Sequence, residues 1–354
     1  MPLPTVGENE TLESPAAFDV VKLYGELLTG DEPLPAPVAA VEALSELVSR
    51  SDSSTIQELL SLLRSASSSL QAASFNPVSA QCGTALFLRY LTIQRPPPEM
   101  SFREFKAELV ERAREFVRGS SRCRDLISRN MAPFIRDGST LLVHSYSRVV
   151  VQALLYAAQT QKKQFQVYVT ESRPFGLGLK THAILTEAGI PCVVVLDSAV
   201  SYIMSRCDLA VVGAEAVCES GGLVNFIGGY QMAIAAKALN KPLYALAESF
   251  KFTRLFPLSQ TDLPSSLPAA PLTFPAPSDP LSSSSTISSV PPTPVRPMID
   301  SPMPDCLEMG DAATRHNPIL DYTTPEMISL IVSDVGVLTP SGVSDSLLSV
   351  FGGE

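Results

Sequence analysis

The residues best suited to chemistry follow short apolar runs in the second half of the chain. These runs alternate with helical patterns, which predicts parallel strands whose carboxyl ends meet at one edge of a sheet. Ligands of open α/β sheets bind beyond that edge, so we expect any binding site to lie there. The polar and charged residues that the edge gathers are His144, Ser145, Tyr146, Ser147, Arg148, Glu171, Arg173, Asp197, Glu215 and Lys251.

The stretch from residue 208 to 239 is the centre of this arrangement. A buried strand ends just before Glu215, and Asn225, Gly228 and Gly229 then lead into an alanine-rich helix. Free backbone N–H groups at a helix N-terminus attract an anion, which favours a phosphorylated small molecule. The alternative interpretation is that the glycines only allow a tight turn between strand and helix.

The sequence lacks the motifs of several common kinds of binding site and active site. The P-loop pattern G-x-x-x-x-G-K-[ST] is absent, and the turn after the first strand contains no glycine for a dinucleotide fingerprint. Ser145 has no G-x-S-x-G context, and the adjacent His144 would point away from it. Glu171 and Arg173 either form a charged fork for a phosphate or pair with each other to hold their loop.

The composition of the chain argues against several classes of protein. The net charge of -10 and the pI of about 4.9 oppose non-specific binding of nucleic acid, which requires a basic face. The six cysteines form no C-x-x-C pair and only three histidines are present, which argues against a zinc site or a disulfide framework. No apolar run approaches the ~20 residues of a membrane span, and the acidic N-terminus is no secretory signal. We therefore expect a cytosolic protein without metal.

The elements that must position these residues fall into two predicted domains. Residues 1–135 show helical apolar stripes, with candidate capping boxes at Thr55–Glu58 and Ser101–Glu104. Residues 136–354 alternate strands and helices, which predicts a Rossmann-like parallel sheet without a dinucleotide fingerprint. A Pro/Ser-rich insertion at about 260–315 interrupts this second domain. We expect the insertion to be disordered.

Six runs of sequence, in the correct order, resemble a known family. Four of them read DGSTLLVHSYSRVV, VYVTESRPFGLG, DLAVVGAEAVCESGGLVNFIG and DYTTPEMISLIVSDVGVLTPSGVSDSL. The chain resembles the regulatory subunits of eukaryotic translation initiation factor 2B, and in particular their alpha branch. The resemblance is close over residues 125–260 and 318–350 and looser over the N-terminal helices.

The resemblance implies a non-catalytic regulatory subunit of a guanine nucleotide exchange complex. In that family the alpha subunit forms a homodimer that bridges two sets of beta, delta, gamma and epsilon subunits into a decamer. Together with beta and delta it senses initiation factor 2 phosphorylated on its alpha subunit, which controls translation initiation under stress. Our candidate contact face for that partner is the helix at 55–70, with Thr55, Glu58 and Arg64.

The same superfamily contains isomerases of methylthioribose 1-phosphate and ribose 1,5-bisphosphate. These enzymes use a cysteine and an aspartate where this sequence has Ser145 and Glu215, and a lysine where it has Phe226. The replacements argue against turnover, because serine is a poor nucleophile without a base and glutamate displaces the carboxylate. They leave open a regulatory sugar-phosphate pocket, an altered isomerase, or a metabolite-binding module. The predicted pocket comprises Ser145, Tyr146, Ser147, Arg148, Glu171, Arg173, Glu215, Asn225, Gly228, Gly229 and Lys251, with no cofactor.

Overall fold

The computed structural model describes residues 18–30, 32–93, 99–263 and 317–352. The helices and strands below belong to one compact unit, formed by the chain up to residue 264 and from residue 319 onward. Most of the predicted Pro/Ser-rich insertion lies outside the described residues. Its first predicted residues include a short 3-10 turn at Gln260–Asp262. No helix among the described residues is long and apolar enough to cross a bilayer.

The N-terminal region is helical, as its apolar stripes predict. Thr55 caps the third helix by accepting a hydrogen bond from the N–H of Glu58 at 3.2 Å. The Glu58 carboxylate accepts a hydrogen bond from the N–H of Ser54 at 2.8 Å. In a standard capping box the donor would be the N–H of Thr55, one residue later. The Ser101–Glu104 capping box is present. The five helices are α1 (Val20–Thr29), α2 (Ala36–Arg50), α3 (Ile56–Ala73), α4 (Pro77–Ile93) and α5 (Phe102–Met131).

The second part of the chain forms a seven-stranded sheet in the order β11-β10-β7-β4-β1-β2-β3. All neighbours are parallel except β10 and β11. The strand β11, which the apolar pattern of the sequence did not predict, forms an antiparallel edge of the sheet. The four central strands are apolar and largely buried, which is typical of sheets covered on both faces. The strands are β1 (Thr140–Val143), β2 (Gln166–Thr170), β3 (Cys192–Val195), β4 (Leu209–Val212), β7 (Leu243–Leu246), β10 (Leu330–Ser333) and β11 (Gly336–Leu338).

A second, four-stranded sheet was not expected from the sequence, and two of its strands lie between β4 and the alanine-rich helix. Its order is β8-β5-β6-β9, and its β5–β6 pair is an antiparallel hairpin. Gly221 in the hairpin turn has a φ of 86°, and a Cβ there would lie 2.2 Å from the Pro340 carbonyl oxygen. These strands are too short to show an alternating pattern, which is why the prediction missed them. They are β5 (Ala216–Cys218), β6 (Leu223–Phe226), β8 (Phe252–Thr253) and β9 (Leu320–Thr323).

Four of the remaining described helices lie between strands of the large sheet along the chain, and the fifth follows its last strand. They are α6 (Arg148–Leu155), α7 (Leu177–Glu187), α8 (Val200–Met204), α9 (Gly229–Ala238) and α10 (Val343–Gly352). The helical region packs directly on this layer: the side chain of Asn130 on α5 donates to the Ser333 carbonyl at 2.9 Å. The boundary at residue 135 between a helical domain and a Rossmann-like domain remains a prediction.

Candidate functional site

A cavity of about 410 Å³ lies where β1, β4 and β7 end. Its floor comes from the strand-end loops, and its roof comes from the α1–α2 connection and the start of α4. The helical region therefore covers the edge of the sheet where we expected a ligand. The polar and charged residues that line this sheet-edge cavity are Ser79, Tyr146, Ser147, Arg148, Lys180, Glu215, Glu248 and Lys251.

Hydrogen bonds to its backbone groups hold Ser145 in place, and its hydroxyl is not part of the cavity lining. Its φ is 57°, in the left-handed region. Its N–H donates to Thr170 Oγ1 at 3.2 Å, and Thr181 Oγ1 donates to its carbonyl at 2.8 Å. The Oγ atom is buried and has no hydrogen-bond partner. The residue we placed at a nucleophile's position therefore has no base beside it.

His144 cannot supply that base. Its Nε2 lies 3.2 Å from the Phe226 carbonyl, which only accepts, so Nε2 carries the proton. Nδ1 then accepts the hydroxyl proton of Thr170 at 2.9 Å, while Thr170 Oγ1 accepts from the N–H of Ser145. Burial lowers the pKa of His144. The imidazole is a neutral structural link between β1, β2 and the end of β6.

Glu215 is held by a residue from the helical region. Its carboxylate accepts a hydrogen bond from Asn76 Nδ2 at 2.7 Å, and its backbone N–H donates to the Val224 carbonyl at 2.9 Å. Asn76 precedes α4 and is 7% exposed. Nothing in the sequence placed Asn76 at this site, because the two residues lie 139 positions apart.

Lys251 is the deepest cation of the cavity. Its Nζ donates to the Ala214 carbonyl at 2.8 Å and lies 3.2 Å from Glu248 Oε2. Burial alone would lower the pKa of Lys251, but the carboxylates of Glu248 and Glu215 outweigh it and raise that pKa. Glu248 is itself 2% exposed and was missed by the sequence analysis. The ammonium is therefore already neutralised by the chain.

Two further cations, Arg148 and Lys180, line the cavity, and carboxylates compensate their charge less than that of Lys251. Arg148 donates from Nη1 to the Pro33 carbonyl at 2.7 Å, and burial followed by the nearby Arg124 lowers its pKa. Lys180, at the start of α7, lies with its Nζ 4.3 Å from the centre of the Tyr146 ring. Among the residues that the structure describes, three cations and two carboxylates line the space, so these side chains leave an excess of positive charge suited to an anionic ligand. Lys180 was recoverable from the sequence, since it follows the glycines after β2.

The helix N-terminus that we expected to hold an anion is occupied by the chain itself. Asp321 of β9 accepts from the N–H groups of Gly228 at 2.7 Å and Tyr230 at 3.0 Å. Burial raises the pKa of Asp321 to about 7, although the amide hydrogen bonds oppose that rise. A phosphate at Gly228 and Gly229 would have to displace this carboxylate.

Asn225 has a structural position. Its Nδ2 donates to the Gly213 carbonyl at 2.9 Å, and its Oδ1 accepts from the N–H of Phe226 at 2.9 Å. The Nδ2 bond holds β6 against the end of β4, and the Oδ1 bond is local to β6, so the chain itself uses both polar groups of this buried amide. The side chain of Phe226 reaches the cavity, whereas Asn225 is not part of its lining.

Glu171 and Arg173 form an ion pair outside the cavity. Arg173 Nε lies 3.1 Å from Glu171 Oε2, and the arginine side chain is 66% exposed. Asp197 holds the loop by accepting from the N–H groups of Ser172 and Arg173 at 2.9 and 2.7 Å. The geometry matches the alternative interpretation, in which the two charges hold their loop.

The predicted partner-binding residues lie on a different surface. Thr55, Glu58 and Arg64 are all exposed at or after the start of α3, and the buried side of that helix is formed by Leu59, Leu63 and Leu70. The face is therefore accessible, as a contact surface must be. Within the described ranges no cluster of His, Cys, Asp and Glu is arranged to hold a metal ion.

Comparisons with known proteins identify the relatives of this chain. Residues 33–340 match the Initiation factor 2 subunit family. Over 338 residues the chain is 38% identical to translation initiation factor eIF2B subunit alpha of Dictyostelium discoideum, covering 94% of this chain and 97% of the relative. The Caenorhabditis elegans protein of the same name is 30% identical over 335 residues, covering 94% and 98%.

A ribose 1,5-bisphosphate isomerase of Methanocaldococcus jannaschii is 32% identical over 214 residues, covering 60% of this chain and 66% of the enzyme. Among solved structures, the tetrameric eIF2B-beta2-delta2 complex from C. thermophilum matches with a TM-score of 0.65 at 19% identity, covering 94% of this chain and 92% of that one. At this identity the structure supports the fold alone. The resemblance predicted from the sequence runs is confirmed, and the chain belongs to the Initiation factor 2 subunit family.

Proposed function

We propose that this chain is a regulatory, non-catalytic subunit of alpha type in the translation initiation factor 2B guanine nucleotide exchange complex. The observation that carries the proposal is the 38% identity to an eIF2B subunit alpha across 94% of the chain. That span includes the helical region and both sheets, so the likeness is not confined to a common sheet architecture. In this role the chain contributes to translational control through its partners.

The strand-end residues support a role without turnover. Glu215 is bound by Asn76, and the Ser145 hydroxyl is buried without a partner, away from the cavity lining. A nucleophile needs an adjacent base, and His144 is committed to Thr170 and Phe226. The remaining groups can bind an anion, and the acid and base among them, Glu248 and Lys251, are already joined to each other as an ion pair.

An exposed apolar edge supports the proposed homodimer. β3 is an edge strand of the large sheet, and it and the residues after it expose Val193, Leu196 and Tyr202 by 54%, 59% and 68%. Apolar residues grouped on a surface typically mark a protein contact. The further partners in this proposal are the beta, delta, gamma and epsilon subunits and the phosphorylated alpha subunit of initiation factor 2.

Reconstitution tests the proposal. The chain is mixed with purified beta, delta, gamma and epsilon subunits, and GDP release from initiation factor 2 is measured with and without phosphorylation of its alpha subunit. We expect one co-eluting assembly whose inhibition by the phosphorylated factor requires this chain. Val193→Glu should weaken self-association, whereas Gln166→Glu at the start of β2 is the matched control. Failure to co-elute with the other subunits would overturn the proposal.

A second candidate function is sensing of a sugar phosphate in the sheet-edge cavity. The observation that favours it is that three described cationic side chains, Arg148, Lys180 and Lys251, outnumber the two carboxylates in a cavity of about 410 Å³. Phosphorus NMR with a panel of pentose and hexose phosphates distinguishes the outcomes. Broadened, unconverted resonances support sensing, whereas new resonances that vanish in Glu215→Ala would revive an isomerase function.

A further inference from the structure

A second cavity, of about 370 Å³, lies between the helical region and the turn after β7. Its walls come from α2, α4, α5 and the 3-10 turn Ser249–Lys251, which we call the 249–251 turn. The cavity is partly open to solvent, and its volume is that of a small-molecule site. A space of this size in a packed junction is therefore a candidate ligand site. We call it the aromatic cavity.

Four aromatic rings dominate the lining: Phe87, Tyr90, Phe116 and Phe250. The rings of Phe116 and Phe250 meet edge to face, with their centres 5.9 Å apart. Such walls favour an aromatic guest, because rings pack on one another in stacked and edge-to-face arrangements. Cavities of 300–1,000 Å³ lined in this way are typical of small-molecule sites.

The walls are fixed before any ligand arrives. Phe87 and Phe250 are 4% and 3% exposed. The 249–251 turn is anchored because Asp334 accepts hydrogen bonds from both the N–H and the hydroxyl of Ser249, each at 2.7 Å. A preformed site loses little conformational entropy on binding.

One charged side chain lines the aromatic cavity, and its charge is already compensated. Arg112 forms an ion pair with Glu108, one turn earlier on α5. Its guanidinium also lies 5.7 Å from the centre of the Tyr90 ring. A guanidinium carries five N–H donors, so it can still donate to a ligand. This combination favours a neutral ligand with an acceptor over an anion.

We propose that the aromatic cavity binds a small, uncharged aromatic compound whose single hydrogen-bond acceptor meets Arg112. The site is separate from the sheet-edge cavity, although the two share a wall. Ser249 and Phe250 line one, and Glu248 and Lys251 line the other. A ligand in the aromatic cavity would therefore contact the segment that carries the buried ion pair of the neighbouring site.

The test uses the full-length chain and prodan, a neutral naphthalene dye with one ketone whose emission shifts to the blue in apolar surroundings. The chain contains no tryptophan, so the dye can be read without indole emission. We expect saturable binding of one dye per chain. Ala113→Leu should raise the Kd at least tenfold, because Ala113 is 6% exposed on the cavity wall. Ala107→Leu, on the exposed side of the same helix, should leave the Kd unchanged.

A second pair of variants tests the acceptor contact. Arg112→Met should weaken binding severalfold and move the emission further to the blue, whereas Arg114→Met should do neither, because Arg114 lies outside the aromatic cavity. Circular dichroism checks folding, and Leu86→Phe fills the opposite wall if Ala113→Leu does not fold. An absence of saturable binding, or equal Kd values in the filled variants and Ala107→Leu, would overturn the proposal.

Discussion

The side-chain amide of Asn76 joins the helical region to Glu215, the carboxylate that follows strand β4. Its Nδ2 donates to Glu215 Oε2 at 2.7 Å, while its Oδ1 accepts from the N–H of Ser79 at 3.1 Å and caps α4. The Glu215 carboxylate is therefore held by the residue that caps the start of α4. This contact explains why Glu215 is oriented without a bound ligand.

The first prediction concerns Asn76→Asp. The aspartate keeps the cap on α4 but places a second carboxylate against Glu215. Like charges this close raise the pKa of the pair in the folded protein above the unfolded values. The folded state is then unaffected in acid and loses stability as pH rises past the ordinary carboxyl range. We expect a lower Tm than wild type at pH 7.5 and a much smaller difference near pH 4.

Asn76→Ala is the matched control. Alanine removes both hydrogen bonds and adds no charge, so its effect should change far less with pH. Loss of a helix cap costs about 1 kcal/mol, and removing the donor of the half-buried Glu215 carboxylate adds on the order of 1 kcal/mol. Thermal melts of both variants at the two pH values provide the comparison. A pH-independent deficit in Asn76→Asp would contradict the proposed contact.

The second prediction concerns the close approach of α2 and α4. A Cβ at Gly83 would lie 2.1 Å from the Pro37 carbonyl oxygen, so the two helices can meet only if this position has no side chain. We expect Gly83→Ala to lower the free energy of unfolding by about 2 kcal/mol or more, the scale of overpacking in a core. Denaturant unfolding measures it.

Gly119→Ala provides the contrast, because nothing lies within 4 Å of a Cβ at that helical position. Alanine in an unobstructed helix should stabilise the protein by about 0.5–1 kcal/mol. The two identical substitutions are thus expected to have opposite signs. A stabilising Gly83→Ala would show that α2 and α4 are further apart than the structure has them.

The third prediction concerns Asp321, the carboxylate at the N-terminus of α9. Burial raises its folded pKa to about 7 from an ordinary value of 3.8. An acid whose pKa is raised on folding contributes stability at low pH that is lost as pH rises between those two values. A difference of about three in pKa corresponds to a loss on the order of 4 kcal/mol. The stability that this raised pKa contributes should be fully lost above about pH 7.

Asp321→Asn isolates this effect, because the amide can still accept a hydrogen bond but does not titrate. We expect the stability of wild type relative to Asp321→Asn to fall between pH 5 and pH 8, as measured by denaturant unfolding at each pH. A constant difference across that range would mean that the carboxylate stays ionised, with its hydrogen bonds from Gly228 and Tyr230 outweighing burial.

Six of the seven described strands of the large sheet were predictable, because each is a short apolar run between turn signals, whereas β11 was not. The site was only partly predictable. Sequence spacing places Arg148, Glu215 and Lys251 at one edge, since parallel strands end together. It cannot reveal Asn76, which reaches that edge from the helical region. It also gave no sign that Asp321 occupies the helix N-terminus, because the partner amides lie more than 90 residues earlier.

The fourth prediction separates the residues that line the sheet-edge cavity from those that only share its edge of the sheet. Lys180 lines it, whereas Arg173 lies outside and is paired with Glu171. We therefore expect Lys180→Met to weaken binding of ribose 5-phosphate about tenfold, and Arg173→Met to leave it nearly unchanged. Both substitutions remove one positive charge, so a change in overall charge cannot explain a difference between them.

Calorimetric titration at two salt concentrations measures this binding. Surface charges are screened within ~10 Å at 0.1 M salt, whereas enclosed charges are screened much less. Binding through Lys180 and Arg148 inside the cavity should consequently weaken only modestly when salt rises. Equal losses in Lys180→Met and Arg173→Met, together with steep salt dependence, would place the sugar phosphate on the outer loop. The charged fork of Glu171 and Arg173, rather than the cavity, would then be the binding element.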